Sequence, residues 1–76
     1  MQIAFLSDRD AHAPFGYRLN DRVTLLPGTL DAGERGIIRE GICAYAERGA
    51  SLEQYQVQLN DGAVVWLHWC DFSLSA

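Results

Sequence analysis

Residues 55–69 read YQVQLNDGAVVWLHW, and this stretch decides the fold. Apolar and polar residues alternate from Tyr55 to Leu59, which is the pattern of a strand with one buried face. The Asn-Asp-Gly run at 60–62 predicts a hairpin turn, because these residues accept the positive φ angles that tight turns need. Residues 63–69 then predict a second strand, so the stretch is expected to form an antiparallel hairpin.

Two earlier segments also favour strands. Residues 21–26 alternate, with Val23 and Leu25 on one face. The run from Gly36 to Tyr45 is rich in residues that suit strands, and Gly41 within it indicates a bulge or a sharp bend. A sheet of at least four strands is therefore expected.

The segment between these strands admits two interpretations. Residues 44–54 include Ala, Glu and Arg, which favour a helix. Gly49 and Ser51 oppose more than one helical turn. The sequence therefore predicts an extended loop over residues 47–53.

The two ends of the chain are expected to differ in role. Residues 70–72 predict a short helical turn, and residues 73–76 predict a closing strand. Residues 1–19 are expected to form an N-terminal arm or an extra strand outside a barrel of residues 20–76. Strands recurring about every eight to twelve residues indicate a sandwich or barrel. Parallel crossovers need helices, for which the chain has no room.

Length and charge limit the function classes. The chain has 76 residues, a formal net charge of −4 and six arginines with no lysine. A chain of this length is one domain. Acidic chains are poor non-specific binders of nucleic acid, because such binding depends on clustered Lys and Arg. The arginines are scattered along the sequence, so no basic stripe is predicted.

The sequence also predicts a cellular location. The first residues, MQIAFL, lack the basic region and the long apolar core of a signal peptide. No run approaches the roughly 20 apolar residues of a membrane-spanning helix. The expectation is a cytoplasmic protein without membrane association, in which Cys43 and Cys70 stay reduced, although a disulfide between them is left open.

Several of these segments together resemble the SH3-like barrels of the KOW and Tudor type. The resemblance rests on Asn20-Asp21-Arg22-Val23, Gly36-Ile37-Ile38, the hairpin of residues 55–62, Val65-Trp66-Leu67 and Asp71-Phe72. It implies an all-β barrel of about five antiparallel strands with a short 3-10 turn before the last strand. The inward-facing residues would be Val23, Leu25, Ile38, Tyr55, Val57, Leu59, Val65, Leu67 and Phe72.

One enzyme family on this fold is also similar in layout. The plasmid-borne type II dihydrofolate reductases are tetramers with one central pore, and they share the Asn-Asp-Arg-Val opening. Their pore strand carries Val-Gln-Ile-Tyr, whereas residues 64–67 here are Val-Val-Trp-Leu. The residues that would meet folate and nicotinamide are therefore missing. The likeness leaves one alternative, which is a small-molecule or enzymatic site at a symmetric oligomer pore. The chain also looks similar to small proteins that are encoded on mobile genetic elements.

No catalytic or metal-binding pattern stands out. His68 and Cys70 would share a strand face while Asp71 would not, so Cys70 is expected to be a small buried apolar residue. A structural zinc site needs four ligands, typically in close pairs. The His and Cys residues, His12, Cys43, His68 and Cys70, lack that spacing. The sequence predicts a non-enzymatic protein without cofactor or metal.

The outward-facing residues carry the functional prediction. Val64, Trp66 and His68 would face outward, and Trp69 follows closely. The open face of an antiparallel sheet is usually polar, so an apolar patch there implies a partner. That partner could be a second copy, a ligand or peptide, or the protein's own N-terminal arm through Ile3, Phe5 or Phe15. An aromatic cage for a methylated Lys or Arg is a further option if the following residues converge: Tyr17, Tyr45, Trp66 and Trp69.

The leading hypothesis is a protein-interaction or assembly module that self-associates, with an unknown protein as the other possible partner. Trp66 would be the anchor, because Trp is enriched at interface hot spots. The candidate binding residues are Tyr45, Val64, Trp66, His68 and Trp69. The alternatives are the symmetric-pore site and a KOW-like nucleic-acid module, which the acidity disfavours.

Overall fold

The computed structural model describes residues 2–7, 15–29, 31–45 and 51–75. These residues form six strands and no helix, which confirms the predicted all-β class. The strands are β1 (Gln2–Phe5), β2 (Arg22–Leu25), β3 (Arg35–Tyr45), β4 (Ser51–Leu59), β5 (Val64–His68) and β6 (Phe72–Leu74).

All the pairings are antiparallel, and the strands follow the order β5-β4-β3-β2-β6. β2 to β5 form a meander, and β6 returns to lie beside β2. β1 pairs with residues 42–45 of β3, on the edge of that strand that also carries β2. β5 and β6 are therefore the two ends of the sheet, and no pairing joins them within the described residues.

The β3–β4 hairpin is longer than the sequence indicates. β4 begins at Ser51, which pairs with Tyr45, so both the loop predicted over 47–53 and the helical alternative are wrong from residue 51 onward. Residues 46–50 lie outside the described part of the chain. Pairing with the long β3 extends the strand over residues 51–53, although the apolar residue there, Leu52, is out of phase with Tyr55 and the alternation after it.

The predicted irregularity in β3 is present, two residues before the glycine that suggested it. The register shifts between Ile38 and Glu40, which places a bulge at Arg39. Gly41 has a different role. A Cβ there would lie 3.0 Å from the Cβ of Leu6 and 3.1 Å from the ring of Tyr55. Glycine therefore allows the chain after β1 to lie close against the core.

The core contains the residues that the alternation assigned to it. Val65 and Leu67 are partly buried and pack against the core cluster. The buried members of that cluster are Val23, Leu25, Ile38, Tyr55, Val57, Leu59 and Phe72. The prediction for Cys70 was wrong, because this residue is exposed and Cys43 is the buried cysteine. Cys70 lies in the turn after β5, where strand alternation no longer applies.

Of the two turns around β5, the hairpin turn at 60–62 forms as predicted, but the short helical turn predicted over residues 70–72 is wrong, because Phe72 already begins β6. In the first, Gly62 has a φ of 93°, and Asp61 Oδ1 accepts a hydrogen bond from the Ala63 amide at 2.9 Å. In the second, the Asp71 amide donates to the His68 carbonyl at 3.0 Å, which is the i to i+3 bond of a tight turn over residues 68–71. Asp71 Oδ2 accepts a bond from the His68 amide at 3.0 Å, so this side chain closes the turn.

Glu40 joins the end of β1 to the bulge in β3. Its carboxylate accepts hydrogen bonds from the Ser7 hydroxyl at 2.6 Å, the Ser7 amide at 3.0 Å and the Gly41 amide at 2.8 Å. Burial raises the pKa of Glu40, but these bonds together outweigh it and hold the pKa below its ordinary value. The ionised carboxylate therefore fixes the N-terminal strand.

We expect Glu40→Gln to destabilise the protein by about 1 kcal/mol at neutral pH, because the amide accepts fewer of these hydrogen bonds. The pKa is lower in the folded chain, so the stabilisation is present above the unfolded pKa and is lost as pH falls through the folded pKa. Urea unfolding at about pH 7 and about pH 2.5 would measure this difference.

The matched control for that experiment is Glu34→Gln, since Glu34 is exposed. Its effect should be within about 0.5 kcal/mol at either pH. A Glu40→Gln effect that persists unchanged in acid would contradict the role assigned to the charged carboxylate.

Candidate interaction surface

β5 presents three side chains on the outer face of the sheet. Val64, Trp66 and His68 are exposed, with 53% of Val64 and 49% of Trp66 accessible to solvent. Val65 and Leu67, between them, turn inward and pack on the core. The face assignment made from the sequence is therefore confirmed, and β5 places half of a large aromatic side chain in water.

The neighbouring strand adds a row of amides to this face. Gln58, Gln56 and Gln54 of β4 pair with Val64, Trp66 and His68, respectively. None of these six outward residues carries a formal charge when the histidine is neutral. We call them the β5 face. It is an uncharged surface on a chain whose formal net charge is −4.

The N-terminal segment, as far as it is described, leaves Trp66 open. β1 pairs with β3 and is separated from β5 by two strands. Phe15 packs on the core instead, with its ring centroid 6.1 Å from that of Tyr55. The option that these residues cover Trp66 is not realised, because Trp66 is half exposed.

The four candidate cage aromatics do not converge on one site. Tyr17 and Trp69 line one cavity of about 550 Å³, together with Glu53 and Leu74. Trp66 lines a different cavity of about 280 Å³. The side chain of Tyr45 lies outside the described part of the structure. Trp69 is 57% exposed but belongs to the turn after β5 rather than to the β5 face.

The hydroxyl of Tyr55 links two residues that line the first cavity, Gly16 and Glu53. The Tyr55 hydroxyl donates to Glu53 Oε2 at 2.6 Å and accepts a bond from the Gly16 amide at 3.1 Å. Burial, and after it the hydrogen bond and charge of Glu53, raises the pKa of Tyr55 well above its ordinary value. Burial and the charges of Glu53 and Asp21 likewise raise the pKa of Tyr17. Both phenols therefore stay protonated at neutral pH and act as structural hydrogen-bond donors.

The described residues do not assemble a catalytic group around Cys70. The His68 amide and the Asp71 carboxylate are used in closing the turn. Burial, and then the charge of Glu53, raises the pKa of the other thiol, that of Cys43. No group of three His, Cys, Asp or Glu side chains in the described ranges is placed to hold a metal ion, and His12 lies outside them.

One cluster was missed by the sequence analysis. Arg22 and Arg35, 13 positions apart along the chain, line a common cavity of about 340 Å³. The register of β2 on β3 brings them together, since Arg22 pairs with Ile37 and Thr24 pairs with Arg35. Spacing along the sequence could not show this, because the register depends on where the connecting turn begins.

Comparison of the chain with family models, curated proteins and solved structures gives no match. In the part of the chain that the structure describes, no helix has the length and apolar character needed to cross a membrane.

Proposed function

We propose that this chain is a non-enzymatic small barrel of the SH3-like kind, and that it works as an assembly module by self-association through the β5 face. The observation that carries the proposal is Trp66, which is 49% exposed next to Val64 on the outer face of a terminal strand. Covering exposed apolar surface of this kind with a partner lowers the free energy and so stabilises the complex.

The strand order supports the barrel. A meander whose last strand returns beside its first, as β6 does beside β2, is the order expected from the resemblance. Leu25 of β2 lines the 280 Å³ cavity together with Val65 and Leu67 of β5. The sheet therefore curls enough to bring its β5 end close to β2.

The position and charge of β5 favour a second copy as the partner. Its outer backbone edge has no strand partner among the described strands, so a twofold pairing of β5 with β5 could continue the sheet. Such a pairing would place Trp66 and Val64 of both copies side by side. The six residues of the β5 face include no acidic side chain, Arg or Lys. Docking through this face therefore avoids the cost of burying an unpaired charge.

We expect the wild-type protein to form a dimer or higher oligomer, and Trp66→Ala to weaken that assembly about thirtyfold, which is the loss of a hot spot worth about 2 kcal/mol. Light scattering after gel filtration, over a range of concentrations, gives the mass of each species.

The control variant is Leu74→Ala, which removes an apolar side chain that is 59% exposed on β6, at the other end of the sheet. This variant should keep the wild-type mass. A wild-type protein that is monomeric at every concentration would overturn the proposal, as would equal dissociation by the two variants.

A further inference from the structure

Two arginines share a cavity without an anionic partner. Arg22 of β2 and Arg35 of β3 are exposed and line the cavity of about 340 Å³ together with Asn60 and Ser75. Neither guanidinium forms a hydrogen bond or ion pair within the described part of the chain. By contrast, Arg39 donates from Nε to Gln58 Oε1 at 3.0 Å and from Nη1 to Asn20 Oδ1 at 3.4 Å.

The sheet register makes the two positive charges neighbours. Because Arg22 pairs with Ile37, Arg22 and Arg35 are diagonal cross-strand neighbours. Such positions are about 7 to 8 Å apart, which is within the reach of two long side chains that converge on one ion. Like charges at this spacing repel each other, so the arrangement gains stability when an anion lies between them.

Two further lining residues, Asn60 and Ser75, add neutral donors and are fixed beside the arginines. The Asn60 amide donates to the Arg35 carbonyl at 2.9 Å, and the Ser75 amide donates to the Arg22 carbonyl at 2.8 Å. The Ser75 hydroxyl lies 2.6 Å from the hydroxyl of Thr24, so it can accept that bond and donate its own proton into the cavity. The Asn60 carboxamide offers two more N–H groups.

Among the described residues, the cavity lining contains no carboxylate. Three acidic residues are adjacent in sequence to lining residues: Glu34 is exposed, and the other two are bonded elsewhere. Asp21 Oδ2 accepts from the Arg18 amide at 2.9 Å, and Asp61 Oδ1 accepts from the Ala63 amide at 2.9 Å. The described lining residues therefore carry two positive charges and no negative charge, on a chain whose formal net charge is −4.

We propose that this cavity binds the phosphate group of a small phosphate monoester, such as a sugar phosphate. Two guanidinium groups can each make paired hydrogen bonds to phosphate oxygens. The hydroxyl of Ser75 and the amide of Asn60 can bond the remaining oxygen. A carboxylate has only two oxygens and a single charge, so it leaves part of this donor set unused. The site lies on β2 and β3 and does not depend on self-association through β5.

The experiment is a titration of the full chain followed by amide NMR, with inorganic phosphate, ribose 5-phosphate and succinate as probes at constant ionic strength. Both phosphates should shift the amide signals of Gly36, Ile37, Asn60 and Ser75 saturably, with dissociation constants in the millimolar range or below. Succinate should bind about tenfold more weakly. Equal binding of succinate, or shifts that never saturate, would overturn the proposal.

The variants Arg22→Gln and Arg35→Gln should each weaken phosphate binding about tenfold, because each removes one charged hydrogen-bonding partner. Both residues are exposed, and an unchanged urea midpoint checks that the variants fold. Arg18→Gln is the matched control, since it removes the same charge from an exposed residue outside the cavity. If Arg18→Gln weakens binding as much as the other two variants, binding depends on the overall charge of the protein and not on this cavity, and the proposal is overturned.

Discussion

Replacing Gly36 with alanine is expected to lower the free energy of unfolding by about 3 kcal/mol. A Cβ at this position would lie 2.6 Å from Val57 Cγ1 and 2.7 Å from the carbonyl oxygen of Gln58. Val57 is fully buried, and Gln58 lies in β4, which is paired on both sides. Neither neighbour can move away, so β3 and β4 must separate to admit the methyl group.

The matched control is Gly16→Ala. A Cβ at Gly16 would meet no atom within 4 Å, and the change keeps the amide that bonds the Tyr55 hydroxyl. Its effect should stay within about 0.5 kcal/mol. Urea unfolding followed by tryptophan fluorescence gives both values. Equal midpoints for the two variants would mean that the spacing of β3 and β4 relaxes freely.

The second large effect is expected from Tyr55→Ala, which should cost about 4 kcal/mol. Among the described residues, Tyr55 has the largest fully buried side chain. Its ring makes edge contacts with Tyr17 at 5.3 Å, Phe72 at 5.6 Å and Phe15 at 6.1 Å between centroids. Removing the ring leaves a cavity among three aromatic groups that belong to different parts of the chain.

Tyr55→Phe separates the ring from the hydroxyl. This variant keeps the aromatic contacts but leaves the Gly16 amide without its 3.1 Å acceptor and the Glu53 carboxylate without its 2.6 Å donor. The expected cost is about 1 to 2 kcal/mol, measured by the same urea titration. If Tyr55→Phe costs as much as Tyr55→Ala, the hydroxyl bridge and not the ring packing is the main contribution of this residue.

Much of the sheet could be predicted because its short-range signals agree with its tertiary packing. Alternation assigned Tyr55 and Val57 to the core and Val64 and Trp66 to the surface, and both assignments hold. The turn at 60–62 formed because its Asn-Asp-Gly composition matches the backbone that a hairpin needs. These signals act over a few residues, which is the range that a sequence pattern can reveal.

Features that depend on pairing between distant residues could not be predicted. Residues 51–53 join β4 because β3 continues opposite them, although Leu52 is out of phase with the apolar residues that follow at 55, 57 and 59. The shared cavity of Arg22 and Arg35 follows from the β2–β3 register. The exposure of Cys70 follows from the end of β5 at His68, which alternation alone does not mark.

The pairing of β6 with β2 has a consequence for the order in which the sheet forms. Thr24 and Ser75, which meet there, are 51 positions apart in sequence. The β4–β5 hairpin closes a short loop, and hairpins of this kind form in about 1 to 10 μs. Closing a loop of many residues costs more entropy, and non-local strand pairing slows folding. Leu25 pairs with Phe72, so Leu25 stays without this strand partner until β6 joins β2. The local hairpins of the meander can form first, but the sheet is completed only when its two sequence-distant strands meet.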